Sequence, residues 1–61
     1  MRVLITLAGG SSSIEGDVLL VDDMKSLLGM LESAGFIIVK NTSFGEVVVN
    51  TSAISYIRRK Q

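Results

Sequence analysis

The sequence contains no cysteine, no histidine and no proline. Without cysteine the chain can form neither a disulfide nor a thiolate metal site. Without histidine it lacks the residue that most often serves as a general base and as a metal ligand. No lysine stands at a recognisable serine–lysine spacing that would activate a serine as a nucleophile. We therefore predict that the protein is not an enzyme and that it binds no metal and no cofactor.

Long apolar segments are also missing. No stretch approaches the roughly 20 apolar residues that a membrane-spanning helix needs. The apolar segment 3–8 is shorter than the ~7–15 residues of a signal-peptide core. The sequence therefore predicts a cytoplasmic protein that does not act at a membrane.

The chain is short, with 61 residues, yet 48% of them are hydrophobic. This length allows a single domain spanning residues 1–61. A domain of this size buries only about 60% of the surface that its unfolded chain exposes, so its core alone gives marginal stability. Because we expect neither a disulfide nor a bound metal, a partner chain is the remaining source of stabilisation.

Apolar, β-branched segments alternate with turn-forming residues, and this order predicts a β-β-α-β-β domain of the α+β class. We expect a mostly antiparallel sheet of four or five strands with one amphipathic helix packed on one face. The glycines and serines of segment 9–13 are typical of a hairpin loop. The predicted strands cover residues 3–7, 14–21, 36–40 and 46–50, with a short fifth strand at 55–57.

The helix is predicted from a change of period after residue 21. Asp22 or Asp23 can accept a hydrogen bond from a free amide of the first turn and so cap the helix. Gly35 suits the left-handed residue that commonly ends a helix. Between these ends one face is apolar throughout, and we expect that face to pack on the sheet. Its residues are Met24, Leu27, Leu28, Leu31 and Ala34.

Self-association is predicted from the distribution of apolar residues. Several strands are apolar on both faces, whereas one helix covers only one face of a four-stranded sheet. The proline-free segment 46–50 would also present an unpaired edge to another strand. We therefore expect a homodimer or a higher homo-oligomer, isologous if it is a dimer. The predicted self-association edge consists of Val47, Val48 and Val49.

The net charge is zero, with six basic and six acidic residues, but three basic residues stand together near the chain end. Such a cluster can contact a nucleic-acid backbone, and a neighbouring aromatic ring can stack on bases. A solvated, frayed chain end is the alternative, and it is favoured because basic runs are not specific. The candidate nucleic-acid contacts are Lys40, Tyr56, Arg58, Arg59 and Lys60.

Four acidic residues also lie close together in the sequence. Glu15 and Asp17 project from the same side of an extended strand, and paired carboxylates can hold magnesium or calcium. However, no EF-hand spacing is present, and a helix N-terminus accounts for Asp22 and Asp23 without a metal. We interpret this group as capping and surface chemistry.

Residues 14–18 (IEGDV), followed by Asp22, resemble the glycine-centred second strand and the aspartate of the Sm-like RNA-binding family. Residues 36–42 and 47–55 resemble that family's last strands. The resemblance implies a bent five-stranded barrel that assembles into rings and binds RNA. The sequence departs from the family pattern because the family's helix precedes its first strand. Thr51 and Ser52 stand where the bacterial members carry basic and histidine residues, so no RNA-contact residue is carried over.

Two functional hypotheses follow. The first is a small cytoplasmic oligomeric protein-interaction module, acting as an adaptor, regulator or accessory factor for an unspecified partner protein. The second is a nucleic-acid-binding module in which oligomerisation multiplies a weak basic cluster. Charge placement distinguishes the two, because only a nucleic-acid binder needs its basic side chains together on one face.

Overall fold

A computed structural model describes residues 1–10 and 12–60 of the chain. Its elements are β1 (Arg2–Leu7), β2 (Ser13–Val18), α1 (Met24–Ala34), β3 (Phe36–Asn41), β4 (Gly45–Asn50), a 3-10 turn (Thr51–Ala53) and β5 (Ile54–Arg59). The strands form one antiparallel sheet in the order β4-β3-β2-β1-β5, with α1 packed on one face. This architecture confirms the predicted α+β class, with five strands. No helix in the described part of the chain is long and apolar enough to cross a membrane.

Two strand ends differ from the prediction by two residues or more, and the other differences are of one residue. β2 ends at Val18 rather than at residue 21, because the chain turns at Leu19 and Leu20. β5 continues past the predicted residue 57 as far as Arg59, because pairing with β1 extends it. The amide of Lys60 still donates to the carbonyl of Arg2 at 3.0 Å. The end of the chain is therefore held in the sheet up to this point.

Both helix ends follow the predicted capping chemistry. The Asp23 carboxylate, rather than that of Asp22, accepts a hydrogen bond from the Ser26 amide at 2.7 Å. Gly35 adopts a φ of 78°, and its amide donates to the Leu31 carbonyl at 3.2 Å. A left-handed residue reverses the chain direction at this point, so β3 begins directly after it.

The core lies between α1 and the sheet, and every strand except β5 contributes a buried residue. Burial follows the alternation expected of strands, since Val3 and Ile5 of β1 are buried and their neighbours are not. The fully or nearly fully buried residues are Val3, Ile5, Val18, Val21, Leu27, Ile37, Val39 and Val49.

The predicted packing of the whole apolar helix face is wrong in part. Leu27 is buried and Leu31 is half-buried, whereas Met24, Leu28 and Ala34 are exposed. Met24 and Leu28 are exposed because α1 does not close onto β5. An open groove of about 230 Å³, lined mainly by apolar side chains of both elements, separates them.

Gly16 allows β2 and β3 to approach each other closely. A Cβ atom at this position would lie 2.6 Å from the Lys40 carbonyl oxygen and 2.7 Å from Cγ1 of Val39. The two strands pair at Asp17 with Lys40 and at Val18 with Val39. A glycine inside a strand commonly marks such an approach. Gly16 thus joins the β1–β2 part of the sheet to its β3–β4 part.

The sheet is open at both ends. β4 is hydrogen-bonded to β3 and β5 to β1, and no ladder joins β4 to β5 within the described residues. The five strands agree with the Sm-like resemblance, but the helix lies between β2 and β3 and not before β1. Each end of the sheet therefore presents one unpaired strand edge.

Candidate interaction surfaces

The sheet face that points away from α1, here called the outer face, divides into two halves. Side chains of directly paired residues share a face, so the strand registers assign them. The charged half, on β1, β2 and β5, consists of Arg2, Leu4, Glu15, Asp17, Arg58 and Lys60. The apolar half consists of Phe36, Ile38 and Val48 on β3 and β4. Lys40 and Glu46 of the same two strands also lie on the outer face, beside Asp17, and continue the charged half.

Ion pairs connect most of the charged half. Arg2 lies 3.2 Å from Glu15 and 3.3 Å from Asp17, and Lys60 lies 3.1 Å from Glu15. The hydrogen bond from Lys60 and its positive charge, with a smaller contribution from Arg2, lower the pKa of Glu15 below its usual value of 4.5. Two of the four clustered carboxylates, those of Glu15 and Asp17, thus lie against cationic side chains.

Four of the five predicted nucleic-acid contacts share the outer face, and Arg59 does not; the four are Lys40, Tyr56, Arg58 and Lys60. Arg58 pairs with Leu4 on the outer face, whereas Arg59 pairs with Val3 and so points to the face that carries α1. There the Arg59 charge adds to the two hydrogen bonds from Ser26 that lower the pKa of Asp23.

The remaining basic candidates stand beside acidic residues. Lys60 binds Glu15, and Lys40 is paired with Asp17 on β2 and with Glu46 on β4. Tyr56 lies on the same strand as Arg58 and is 60% exposed. The interpretation of this segment as a frayed tail is also wrong as far as residue 59, because β5 pairs with β1.

The predicted self-association edge, β4, lies at one end of the sheet. Its three valines do not point the same way. Val49 is buried, Val47 is half-buried against the core, and Val48 is 62% exposed on the outer face. Only Val48 therefore offers its side chain to a partner, while the strand as a whole offers its free edge.

Next to the apolar half is a groove that sequence reasoning missed. It has a volume of about 370 Å³ and opens between the C-terminal part of α1, the first residues of β3 and the turn after β2. We call it the Leu20 groove, and it is lined by Leu19, Leu20, Met30, Ala34, Phe36, Ile37 and Ile38. Every lining residue is uncharged and apolar.

Leu20 stands out in both exposure and backbone conformation. Its side chain is 93% exposed, and its φ of 72° lies in the left-handed region, which costs a non-glycine residue about 1–2 kcal/mol. The sequence contained one signal of this turn. Residues 18–21 are four consecutive apolar residues followed by a helix cap. A strand with one face on the core would bury only every second one of them, so the run is longer than a half-buried strand explains.

No protein-family model matches the chain, and no curated protein or solved structure was found to be similar to it. The class that the fold itself defines is a small antiparallel α+β protein with two open sheet edges and an apolar half on its outer face.

Proposed function

We propose that the protein is a protein-interaction module that self-associates through the edges of its sheet. The observation that carries the proposal is the unpaired β4 edge, with the exposed Val48 beside Ile38 and Phe36. An open edge with apolar side chains favours strand addition. The core has only eight buried apolar residues in a 61-residue chain, so burying more apolar surface between copies would add to its stability.

The β5 edge of a second copy matches the β4 edge in charge and in apolar character. In an antiparallel arrangement with Glu46 opposite Arg58, Val48 falls opposite Tyr56. The same register sets Val47 opposite Ile57. An ion pair and two apolar pairs then lie across the contact, and cross-strand pairs of these kinds stabilise sheets. Such a contact is head-to-tail, and it closes into a ring where the rotation between copies permits.

An isologous contact between two β4 edges is the alternative arrangement for a dimer. Antiparallel pairing about Val48 places Glu46 opposite Asn50 of the other copy, so no two like charges face each other. It also leaves Glu46 without a basic partner across the contact. The head-to-tail contact is therefore the better supported arrangement.

Nucleic-acid binding is the second candidate function, and the charge arrangement argues against it. Phosphate contacts require basic side chains that are available together on one surface. Lys40, Tyr56, Arg58 and Lys60 do share the outer face. However, Lys60 and Lys40 stand beside carboxylates, and Arg59 points to the opposite face. Saturable, strongly salt-dependent binding of labelled single-stranded RNA would favour this candidate over the first.

Replacing Val48 tests the edge contact. Val48→Lys places a charge at the centre of the β4 edge, and we expect the association constant to fall by roughly tenfold or more, about 1.4 kcal/mol. The measurement is mass by light scattering and sedimentation over a range of concentrations. Thr42→Lys, which adds the same charge in the exposed β3–β4 turn, is the control. A wild-type protein that stays monomeric at millimolar concentration contradicts the proposal.

A charge exchange separates the two arrangements. Glu46→Arg and Arg58→Glu each place like charges across the head-to-tail contact, so each variant alone is expected to associate weakly. Mixed in equal amounts, the two variants restore an opposite-charge pair at every contact and recover the wild-type mass. Failure of the mixture to recover, together with association of Arg58→Glu alone, points to the isologous β4 contact.

A further inference from the structure

We propose that two copies of the chain exchange their N-terminal hairpins, formed by β1 and β2, by opening the turn at Leu20. In the exchanged dimer, the hairpin of each copy takes the place in the sheet that the other copy's own hairpin occupies in a single chain. The free edges of β4 and β5 take no part, so the exchange is separate from the edge contact proposed above.

The hairpin forms the middle of the sheet, although it comes first in the chain. In the order β4-β3-β2-β1-β5, β2 is paired with β3 and β1 with β5, so the hairpin joins two strands that are not paired with each other. It also supplies Val3, Ile5 and Val18 to the core, each at most 1% exposed. The other elements therefore form a slot whose hydrogen bonds and core packing fit this hairpin, and an identical hairpin from a second copy fits it equally well.

A single short connection links the hairpin to the other elements. The described chain leaves β2 at Val18, enters α1 after the cap Asp23 and does not return to the hairpin. Exchange therefore requires a new conformation in this connection alone, while every strand pair and core contact is made again with the other copy. Exchange of an identical element is a low-cost route to a dimer, since it uses contacts that already exist.

The conformation of the connection favours opening. Among the described residues, Leu20 is the one residue other than glycine with a positive φ, 72°, and its side chain is 93% exposed. A short connection under strain invites exchange. In an extended conformation Leu20 loses that strain, and the apolar, partly β-branched residues 18–21 (VLLV) suit a strand that runs straight from one copy into the other.

The two junctions of the hairpin with the rest of the sheet differ in length. β2 meets β3 in two residue pairs, at Asp17 and Val18, whereas β1 is paired with β5 from Val3 to Leu7. Both junctions have to separate before a hairpin can change places. We therefore expect exchange to be slow in the folded protein and to occur mainly when chains refold together at high concentration.

Exchange changes the valency of the protein. An exchanged dimer carries two β4 edges and two β5 edges in one particle, whereas a single chain carries one of each. Linked binding sites gain avidity without any new contact. This consequence, unlike the exchange itself, rests on the edge contact proposed above.

Directed disulfide formation across the β2–β3 junction tests the exchange, since the chain has no cysteine of its own. Asp17 and Lys40 are direct cross-strand partners, and such residues have Cα atoms about 4.5–5.5 Å apart, within the range of a disulfide. An Asp17→Cys chain is mixed in urea with a mass-tagged Lys40→Cys chain, refolded at high concentration and mildly oxidised. Neither chain can close a disulfide within itself, so a mixed disulfide in the folded product reports an exchanged hairpin.

The control mixture combines Asp17→Cys with Glu32→Cys, which lies exposed on α1. We expect the mixed disulfide with Lys40→Cys in severalfold higher yield than with this control, and equal yields overturn the proposal. A chain that carries both Asp17→Cys and Lys40→Cys, oxidised at low concentration, gives the reference yield for the pair within one copy.

The edge contact cannot produce this disulfide, because β2 lies in the middle of the sheet and is covered on both sides by paired strands. The mixture is therefore repeated with Val48→Lys in both chains, which weakens the edge contact. Persistence of the mixed disulfide shows exchange whether or not the edges associate. A yield that falls to that of the control mixture overturns the exchange and leaves the edge contact to its own tests.

Leu20→Gly and Leu20→Val, each introduced into both chains of the mixture, test the opening of the turn. Glycine adopts the left-handed region freely, so the closed turn loses its strain and the mixed-disulfide yield is expected to fall severalfold. Valine keeps an apolar side chain but tolerates a positive φ poorly, so the yield is expected to rise above that of the Leu20 chains. Yields that do not increase from glycine to leucine to valine show that Leu20 is not the hinge, and the proposal is then wrong.

Discussion

The two halves of the outer face differ in whether their side chains have partners within the same chain. In the charged half, Arg2 and Lys60 bind Glu15 and Asp17 within the same chain. In the apolar half, Phe36 and Val48 remain exposed. Most charged side chains of the outer face thus have partners within the chain, whereas the apolar half leaves large side chains exposed to solvent. This difference is the reason for proposing an interaction surface on β3 and β4 rather than on the basic segment of β5.

The largest change in the free energy of unfolding is expected where β2 meets β3, at the junction of the two halves. Gly16→Ala forces a Cβ atom against the Lys40 carbonyl oxygen at 2.6 Å, and the backbone has to shift. Overpacking of this kind costs about 1–3 kcal/mol, and contact with backbone places it at the upper end. The free energy of unfolding from urea titration followed by circular dichroism measures the change.

Gly29→Ala is the matched control for that variant. Gly29 lies inside α1, and a Cβ atom there meets nothing within 4 Å. Alanine in a helix interior is favoured over glycine by about 1 kcal/mol, so this variant is expected to be more stable than wild type. Equal losses of stability in both variants would refute the role assigned to Gly16.

A medium effect is expected at the second link between the halves, the Asn41 side chain. Its Nδ2 donates to the Glu15 carbonyl on β2 at 2.6 Å, and its Oδ1 accepts from the amides of Ser43 and Phe44. Asn41→Ala leaves the partly buried Glu15 carbonyl and two exposed amides without their partner, and is expected to cost about 1–2 kcal/mol in unfolding free energy. Thr42→Ala, in the same turn, is the control; similar losses in both would show that Asn41 acts only as a turn residue.

The smallest effect concerns acid stability of the charged half. The pKa of Glu15 is lower in the folded chain than its ordinary value of 4.5, so its interactions stabilise the fold above about pH 4.5. That contribution is lost as the pH falls through the folded-state pKa. Glu15→Gln is therefore expected to flatten the fall of the thermal midpoint below pH 4.5.

Glu32→Gln removes an exposed carboxylate of α1 and serves as the control for the acid titration. Its curve is expected to follow that of the wild type. A Glu15→Gln curve that coincides with both would show that the ion pairs of the charged half do not contribute to stability, as is common for exposed pairs.

Local chemistry in the sequence was enough to predict most of the fold. The helix follows from the capping oxygen of Asp23 and the left-handed Gly35, both of which act over a few residues. The element order β-β-α-β-β follows from apolar segments separated by turn residues. These features need no knowledge of distant contacts, since each is decided by neighbours along the chain.

Only the tertiary structure decided which residues make up the candidate surfaces. β5 is long because it pairs with β1, and that pairing turns Arg58 and Arg59 to opposite faces. The groove beside Leu20 exists because α1 and β3 come together next to a turn that ends β2 early. Side-chain direction and groove shape depend on residues far apart in the chain, and no local pattern specifies them.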